Sequence, residues 1–245
     1  MSKDTFDVLI LIARPAAGKS EIIHYLKNLP SEQRRSQFHI GKIDEIDDFP
    51  MLWTWFEEDA LLEQMGKPRI HTDEAGYFKW QYLWNLLIRR ISLEYNKRLR
   101  DNPDGQAPVT TLVEFARGLE HGGFGEAFQH LSRELAERAA ILYINVSYAE
   151  SLRKNRRRYN PKRPDSILEH GLSDEKMERL YQESDWQEVS GGKPAGFMDI
   201  QGVQVPFVVF ENEDDVTTPG GAPLGTRLET TLQTLWDMAR GSDMD

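Results

Sequence analysis

The stretch FDVLILIARPAAGKSEIIHYL, residues 6–26, decides the expected fold. It opens with an unbroken apolar run at residues 8–13, which is rich in leucine and β-branched residues and is typical of a strand buried on both faces of a sheet. A short loop follows, and the apolar residues Ile22, Ile23 and Leu26 then recur with helical spacing. The stretch therefore predicts a buried strand, a loop and an amphipathic helix, in that order.

The loop matches a phosphate-binding pattern. Ala13 is followed by four residues and then by Gly18, Lys19 and Ser20, which is the spacing of a P-loop. In such a loop the backbone N–H groups surround a phosphate, the lysine neutralises the β- and γ-phosphates, the hydroxyl binds Mg²⁺, and the helix N-terminus adds positive charge. We expect the phosphates to be held by Ala13, Arg14, Pro15, Ala16, Ala17, Gly18, Lys19 and Ser20. The alternative interpretation is an ordinary strand-to-helix turn.

Composition limits the class of protein. The chain has 245 residues, of which 39% are hydrophobic and 29% charged, so we expect one folded domain over residues 1–245. The net charge of -10 opposes binding to nucleic acid or to an anionic membrane surface. The absence of cysteine excludes disulfides, thiolate metal sites and cysteine nucleophiles. With no apolar run near the length of a membrane span and no signal-peptide pattern, we predict a cytoplasmic protein without a nucleic-acid or membrane partner.

Strand and helix patterns alternate along the rest of the chain. Further strands are predicted at residues 38–43, 109–115, 140–146 and 205–212. Helices are predicted at residues 49–64, 77–100, 124–137, 173–183 and 228–238. This alternation indicates an α/β fold with a parallel sheet covered on both faces, in which ligands bind at the carboxyl ends of the strands.

Four stretches together resemble the P-loop nucleoside and nucleotide kinase group, whose members are adenylate-kinase-like. They are ARPAAGKS, LVEFARG, YAESLRKNRRRYNPKRP and VPFVVFENEDD. The resemblance implies a three-layer, five-stranded parallel sheet in the order 2-3-1-4-5, with a helical acceptor-side insert at about residues 48–105 and a lid at about residues 151–185. It also implies binding of ATP and Mg²⁺ and phosphoryl transfer, with a nucleoside triphosphate and a small-molecule acceptor as partners.

Acidic residues follow two of the predicted strands. Glu114 lies at the end of LVEF, where such kinases place an acidic residue, often with an arginine nearby, and Arg117 fits the latter. We expect Glu114 to orient the metal shell or to act as a base. Asp44 is its rival for the base, although Glu45, Asp47 and Asp48 crowd the same position. The alternative for each carboxylate is a solvated loop acid.

The segment after the fourth predicted strand carries the densest positive charge. If it is helical, Arg153, Arg156 and Arg157 share one face, so that their guanidinium groups converge on a polyphosphate. Lys162 and Arg163 extend the run, and closure of such a lid excludes water. The alternative is a solvated basic face or an interaction patch.

The insert is rich in aromatic residues. Trp80 and Trp84 are one helical turn apart and share their spacing with Leu83 and Leu87, which favours a buried seam or a homodimer contact over a cage for a base.

The leading hypothesis is an ATP-dependent kinase. The alternative from another class is a nucleotide-binding regulatory or switch NTPase that acts through a protein partner, and a third is a binding protein that kept the loop and lost the chemistry. The chain has no Asn-Lys-x-Asp sequence, which disfavours a GTPase. The acceptor and the preference for ATP or GTP stay open.

Overall fold

A six-stranded, mostly parallel sheet lies at the centre of the protein, in a computed structural model that describes residues 4–101, 108–158 and 171–241. The strands are β1 Val8–Ala13, β2 Lys42–Asp47, β3 Val109–Phe115, β4 Ala139–Asn145, β5 Ala195–Ile200 and β6 Val203–Glu211. They lie in the order β2-β3-β1-β4-β6-β5, and every neighbouring pair is parallel except β5 and β6. The predicted α/β class is confirmed.

The expectation of five strands is wrong, because β5 adds an antiparallel edge. β5 and β6 form a hairpin that turns through Gln201 and Gly202, whose φ angles are 55° and 74°. Two successive positive φ angles are typical of the two-residue turns that join twisted hairpin strands. The sequence GGKPAG, residues 191–196, is typical of a loop, but its last two residues begin β5, and the strand was therefore not predicted.

Ten α-helices belong to the described residues. They are α1 Lys19–Asn28, α2 Ser31–Phe38, α3 Asp48–Gln64, α4 Tyr82–Asp101, α5 Gly123–Gln129, α6 Arg133–Ala136, α7 Tyr148–Arg158, α8 Asp174–Tyr181, α9 Trp186–Val189 and α10 Gly221–Gly241. A 3-10 turn at Leu119–His121 precedes α5. Within these ranges, no helix has the length and apolar character that crossing a membrane requires.

The sheet separates two hydrophobic cores. Successive residues of β1 point to opposite faces, so Leu9 and Leu11 join the core formed with α1, α2 and α10. Val8, Ile10 and Ile12 join the core formed with α4, α5, α6 and α9. All six residues of β1 are buried, as the unbroken apolar run predicted. Burial on both sides fixes the end of β1, and with it the start of the loop that follows.

The second strand starts four residues later than predicted, at Lys42 instead of Phe38. Phe38 and Ile40 are buried and suggest strand alternation, but Phe38 ends α2 and His39 caps that helix in a left-handed conformation. The polar sequence of α2 has no apolar periodicity, and the helix was not predicted. The correction moves the carboxyl end of β2 from Ile43 to Asp47.

The insert departs from the predicted seam. α4 starts at Tyr82 instead of residue 77, so Trp80 precedes the helix and is 54% exposed. Trp84 packs inward, with its ring 3.8 Å from that of His121. The expectation of one buried seam is therefore wrong for Trp80. Two other predicted helices also differ, because residues 124–137 form two short helices and α10 begins at Gly221 instead of Leu228.

Candidate functional site

The loop that joins β1 to α1, here called the phosphate loop and comprising residues 13–20, has an unusual backbone. Ala16 has a φ of 55° and Gly18 a φ of 120°. A Cβ atom at Gly18 would lie 2.7 Å from Oγ1 of Thr217 and 2.9 Å from Nδ2 of Asn212. Glycine is therefore required here for both the conformation and the close approach of the loop after β6.

Side chains from two neighbouring elements hold this loop. Nδ2 of Asn212 donates to the carbonyl oxygen of Ala17 at 2.8 Å, and Oγ of Ser151 donates to that of Pro15 at 2.7 Å. No side chain of the described ranges caps α1 at Gly18. The first N–H groups of an uncapped helix are left for a ligand, and they favour an anion.

Arg14 lies in the loop, but its side chain is engaged away from it. Its guanidinium donates to the carbonyl oxygens of Tyr181 at 3.2 Å, Val146 at 3.2 Å and Gln182 at 3.3 Å. Arg14 therefore ties the loop to the end of α8 and to the segment after β4. The predicted contact of Arg14 with a phosphate would therefore be made by its main chain and not by its guanidinium.

Two cavities meet at the phosphate loop. The small cavity has a volume of about 140 Å³ and lies beside Lys19 and the ends of β2 and β3. The large cavity has a volume of about 620 Å³ and lies between α1, α7 and the segment 217–221. Ala16, Ser20 and Arg158 line both. A ligand bound at the loop therefore has space on either side of it.

The small cavity contains a close pair of carboxylates. Asp47 ends β2, and the register places it beside Glu114 of β3. Burial raises the pKa of Glu114 to about 7; the charge of Asp47 adds to this rise, and the ammonium of Lys19 opposes it. Burial and then the charge of Asp48 raise the pKa of Asp47 to about 6. The positive charge of Lys19 therefore does not fully compensate the two carboxylates of Asp47 and Glu114.

Arg117 lies at the same cavity, but it is a paired residue. Its Nη1 donates to Oδ2 of Asp48 at 2.7 Å and to the carbonyl oxygen of Ala116 at 2.7 Å, and its side chain is 2% exposed. The guanidinium also lies over the rings of Trp84 and Phe115, at 5.2 Å and 5.5 Å from their centroids. Asp48 and Arg117 therefore form a buried ion pair that joins α3 to the end of β3.

Asp44 lies outside both cavities. It belongs to the middle of β2, its side chain is 41% exposed, and its Oδ2 pairs with Nη1 of Arg98 at 2.7 Å. The shifted start of β2 explains this position, because the strand ends at Asp47 and not at Ile43. Asp47, at the end of β2, and Asp48, which follows it, line the small cavity. They are two of the four acids, with Asp44 and Glu45, among which the sequence left the choice open.

The arginines of the basic helix α7 form ion pairs in two directions, towards the segment after β6 and towards α8. Arg153 pairs with Glu150 at 2.6 Å and with Asp215 at 2.8 Å, and Arg157 donates to Thr218 at 2.5 Å and lies 3.7 Å from Asp215. Arg156 instead pairs with Asp174 at the start of α8, at 2.6 Å. The expected convergence of Arg153, Arg156 and Arg157 is therefore only partial in this structure.

Lys154 is the buried cation of α7, a position that the basic sequence pattern did not predict. Its Nζ donates to Oδ1 of Asp215 at 2.7 Å and to Oγ1 of Thr217 at 2.9 Å. Burial of Asp215 acts to raise its pKa, but hydrogen bonds led by those from Lys154 and Thr218 outweigh it and lower that pKa to about 2. Asp215 thus holds Lys154, which lines the large cavity together with Thr217.

The proposed lid is described in part. Residues 159–170, which include Lys162 and Arg163, lie outside the described residues. On either side of them, Asn155 and Leu172 are joined by two hydrogen bonds, from Nδ2 of Asn155 to the Leu172 carbonyl at 2.7 Å and from the Leu172 N–H to Oδ1 of Asn155 at 3.1 Å. α7 and the residues before α8 therefore meet beside the small cavity, which Asn155 and Leu172 line.

The oxygen atoms at the loop fit a magnesium ion that is held partly by substrate. Within the described ranges, no group of three or more His, Asp or Glu residues forms a metal cluster. Mg²⁺ is commonly bound through one or two carboxylates together with substrate phosphates, and not by an all-protein cage. The hydroxyl of Ser20 and the carboxylates of Asp47 and Glu114, which line the small cavity, are oxygen ligands of this kind.

Comparisons with known proteins give no independent assignment: no family model and no curated protein matches this chain.

Proposed function

We propose that this protein is an ATP-binding phosphotransferase of the P-loop nucleoside and nucleotide kinase group. It transfers the γ-phosphate of ATP to a small-molecule acceptor such as a nucleoside or a nucleotide. The order of its parallel strands, β2-β3-β1-β4-β6, and the phosphate loop directly after the central β1 support this class.

The observation that carries the proposal is that the two cavities share Ala16 and Ser20 of the phosphate loop, with Lys19 lining the small one. A nucleotide in the large cavity directs its phosphates along the loop, so that its terminal phosphate points into the small cavity. An acceptor in the small cavity then meets that phosphate. Phosphoryl transfer depends mainly on such positioning and on stabilisation of charge.

The charged residues suit different parts of the transfer. Lys19 and the first N–H groups of α1 hold the β- and γ-phosphates. Ser20 and Glu114 would hold Mg²⁺, which when bound neutralises charge on the phosphates. Arg157 on α7 faces the large cavity. Its bond to Thr218 is exposed, so a phosphate can replace it at low cost.

In the transfer, the acceptor hydroxyl oxygen forms a bond to the γ-phosphorus. The bond from that phosphorus to the oxygen bridging the β- and γ-phosphates breaks, and ADP leaves with the bonding electron pair. The hydroxyl proton passes to a carboxylate, for which Asp47 is suited because its pKa of about 6 lies close to neutral pH.

The test is an assay of phosphate transfer from Mg·ATP to a panel of nucleosides, nucleotides and small alcohols, with ADP and phosphorylated product measured together. The proposal predicts product formation that depends on the acceptor and is lost in Lys19→Ala. Hydrolysis that no acceptor stimulates but a protein partner does would favour the regulatory NTPase instead. ATP binding without any turnover would identify a protein that has lost the chemistry.

A further inference from the structure

The small cavity limits the size of the acceptor. Its volume of about 140 Å³ compares with about 620 Å³ for the large cavity. Pockets that enclose drug-sized ligands usually have volumes of roughly 300–1,000 Å³. Once the large cavity is assigned to ATP, the space beyond Lys19 favours a compound much smaller than a second nucleotide.

Negative charge limits the chemistry of the acceptor. The carboxylates of Asp47, Asp48 and Glu114 all line the small cavity. Arg117 is paired with Asp48, whereas Asp47 and Glu114 lie side by side in the register of β2 and β3. A phosphate monoester carries further negative charge and would be repelled at close range. Such an acceptor would need a cation with free donors beside it.

The cations described at the small cavity are already engaged in other interactions or assigned to the phosphates of ATP. The guanidinium of Arg117 is engaged with Asp48 and Ala116, and its Nη2 also donates to the Trp84 carbonyl oxygen at 3.3 Å. Recruiting it would break a buried ion pair, which is strongly unfavourable. Lys19 serves the phosphates of ATP under the proposed function. Arg158 lines both cavities and therefore lies at their junction, where the transferred phosphate passes.

The remaining wall of the small cavity is apolar. Phe49, Leu52, Trp84, Phe115 and Tyr181 contribute to it. Aromatic walls favour a flat or apolar body, and a carboxylate accepts a hydrogen bond from a hydroxyl group. The cavity thus combines an apolar side with an acidic end next to Lys19.

We infer that the acceptor is a compact, uncharged alcohol with an apolar or aromatic body, and that nucleotides and other phosphate monoesters are rejected. The inference rests on the proposed function and narrows its acceptor. It rests on the volume of the small cavity, the adjacent carboxylates of Asp47 and Glu114, and the pairing of Arg117 with Asp48. The transfer is the one given above, with the alcohol as the attacking group.

The test compares alcohols with their own phosphate monoesters. Radiolabelled ATP is supplied with the common nucleosides and their 5′-monophosphates, and with pyridoxine and its 5′-phosphate. We expect label on at least one alcohol, with kcat/KM at least about 100-fold above that of its monoester. A monoester used within about tenfold of its alcohol overturns the inference. If Mg·ATP binds but no pair gives product, the proposed function itself fails and the inference falls with it.

A cavity-filling variant supplies a second test. Leu52 lines the small cavity from α3, so Leu52→Trp should lower transfer to the accepted alcohol by at least about 50-fold while the Kd for Mg·ATP stays within about threefold. Leu61→Trp is the matched control, because Leu61 lies on the same helix and is 56% exposed. Undiminished transfer by a folded Leu52→Trp protein, checked by circular dichroism, would place the acceptor elsewhere and overturn the inference.

Discussion

The two cavities beside the phosphate loop treat charge in opposite ways. At the large cavity, the lining residue Lys154 donates to Asp215, which also accepts from Arg153 and whose pKa falls to about 2. At the small cavity, Asp47 and Glu114 lie side by side, and their pKa values rise to about 6 and 7. The charge of Asp215 is compensated by neighbouring cations, whereas the charges of Asp47 and Glu114 are compensated only when a proton or a cation binds. Substitutions on the two sides should therefore have different consequences.

The largest effect is expected at the junction of the cavities. Lys19→Ala should reduce turnover by roughly 1,000-fold and weaken ATP binding by roughly 10- to 100-fold, because the lysine acts on phosphate charge in the ground state and in the transition state. Isothermal calorimetry and the transfer assay measure the two quantities. Lys27→Ala is the control, since Lys27 lies on the same helix in an exposed ion pair with Glu45. Equal effects of the two substitutions would remove Lys19 from the site.

The next largest effect is expected for Glu114, which lines the small cavity, in comparison with Asp44, which lies in the middle of β2 outside it. Glu114→Gln should lower Mg²⁺-dependent turnover by roughly 10- to 100-fold, as is usual for groups that support a metal. Asp44→Asn should leave turnover at the wild-type level, because Asp44 pairs with Arg98 on the surface. Titration of activity with Mg²⁺ distinguishes them. If Asp44→Asn is inactive while Glu114→Gln is not, the carboxylate that turnover requires is Asp44, the rival of Glu114, and the proposed role of Glu114 is wrong.

The same carboxylate should lower stability at high pH. The folded-state pKa of Glu114 is raised from 4.5 to about 7, so the folded protein binds this proton more tightly than the unfolded chain does. The free energy of unfolding then declines as the pH rises from 4.5 to 7, and the loss persists above pH 7. Without Mg²⁺ at pH 8, Glu114→Gln should therefore be more stable than wild type by on the order of 2 kcal/mol. Urea unfolding at pH 5 and pH 8 tests this, and a mutant that is less stable at pH 8 would contradict it.

A structural effect is expected at the large cavity. Lys154→Met removes one member of a buried pair and leaves Asp215 without its main partner, which should cost about 3 kcal/mol of unfolding free energy. The loss should shrink as the pH falls from 3.8 toward 2, because the contribution of an acid with a lowered pKa disappears when it is protonated. Chemical denaturation at neutral and at acid pH measures both effects.

The smallest effect is expected for Arg156, the arginine of α7 that pairs with α8. Arg156 forms an exposed ion pair with Asp174, so Arg156→Met should not differ measurably from wild type in stability. A loss as large as that of Lys154→Met would mean that the two pairs stabilise the protein alike, and that burial does not distinguish them.

Periodicity in the sequence was sufficient for elements with an apolar pattern. The apolar run of β1 and the helical spacing of Ile22, Ile23 and Leu26 led to the observed strand and helix. α2 was missed because Phe38 alone of its residues is buried, and β5 because its hairpin follows a glycine-rich segment. Tertiary contacts, and not local patterns, determine both elements.

The positions of some candidate residues could be predicted from sequence, although their roles stay predictions. The phosphate loop follows β1 and Glu114 lies near the end of β3, as the apolar runs of these strands indicated. The choice of Asp47 and Asp48 over Asp44 required the true end of β2, four residues beyond the predicted one. Lys154 could not be separated from the surrounding basic residues, because its burial depends on Asp215, which is sixty-one residues away in the chain. No local pattern contains that contact.

The most direct test of the phosphate loop is calorimetric titration of the protein with ATP, with and without Mg²⁺, in wild type and in Lys19→Ala. We predict saturable binding by wild type that Mg²⁺ strengthens and that Lys19→Ala weakens by at least about tenfold. Absence of binding heat at millimolar Mg·ATP, confirmed by an unchanged melting temperature, would contradict the assignment of the loop to a polyphosphate.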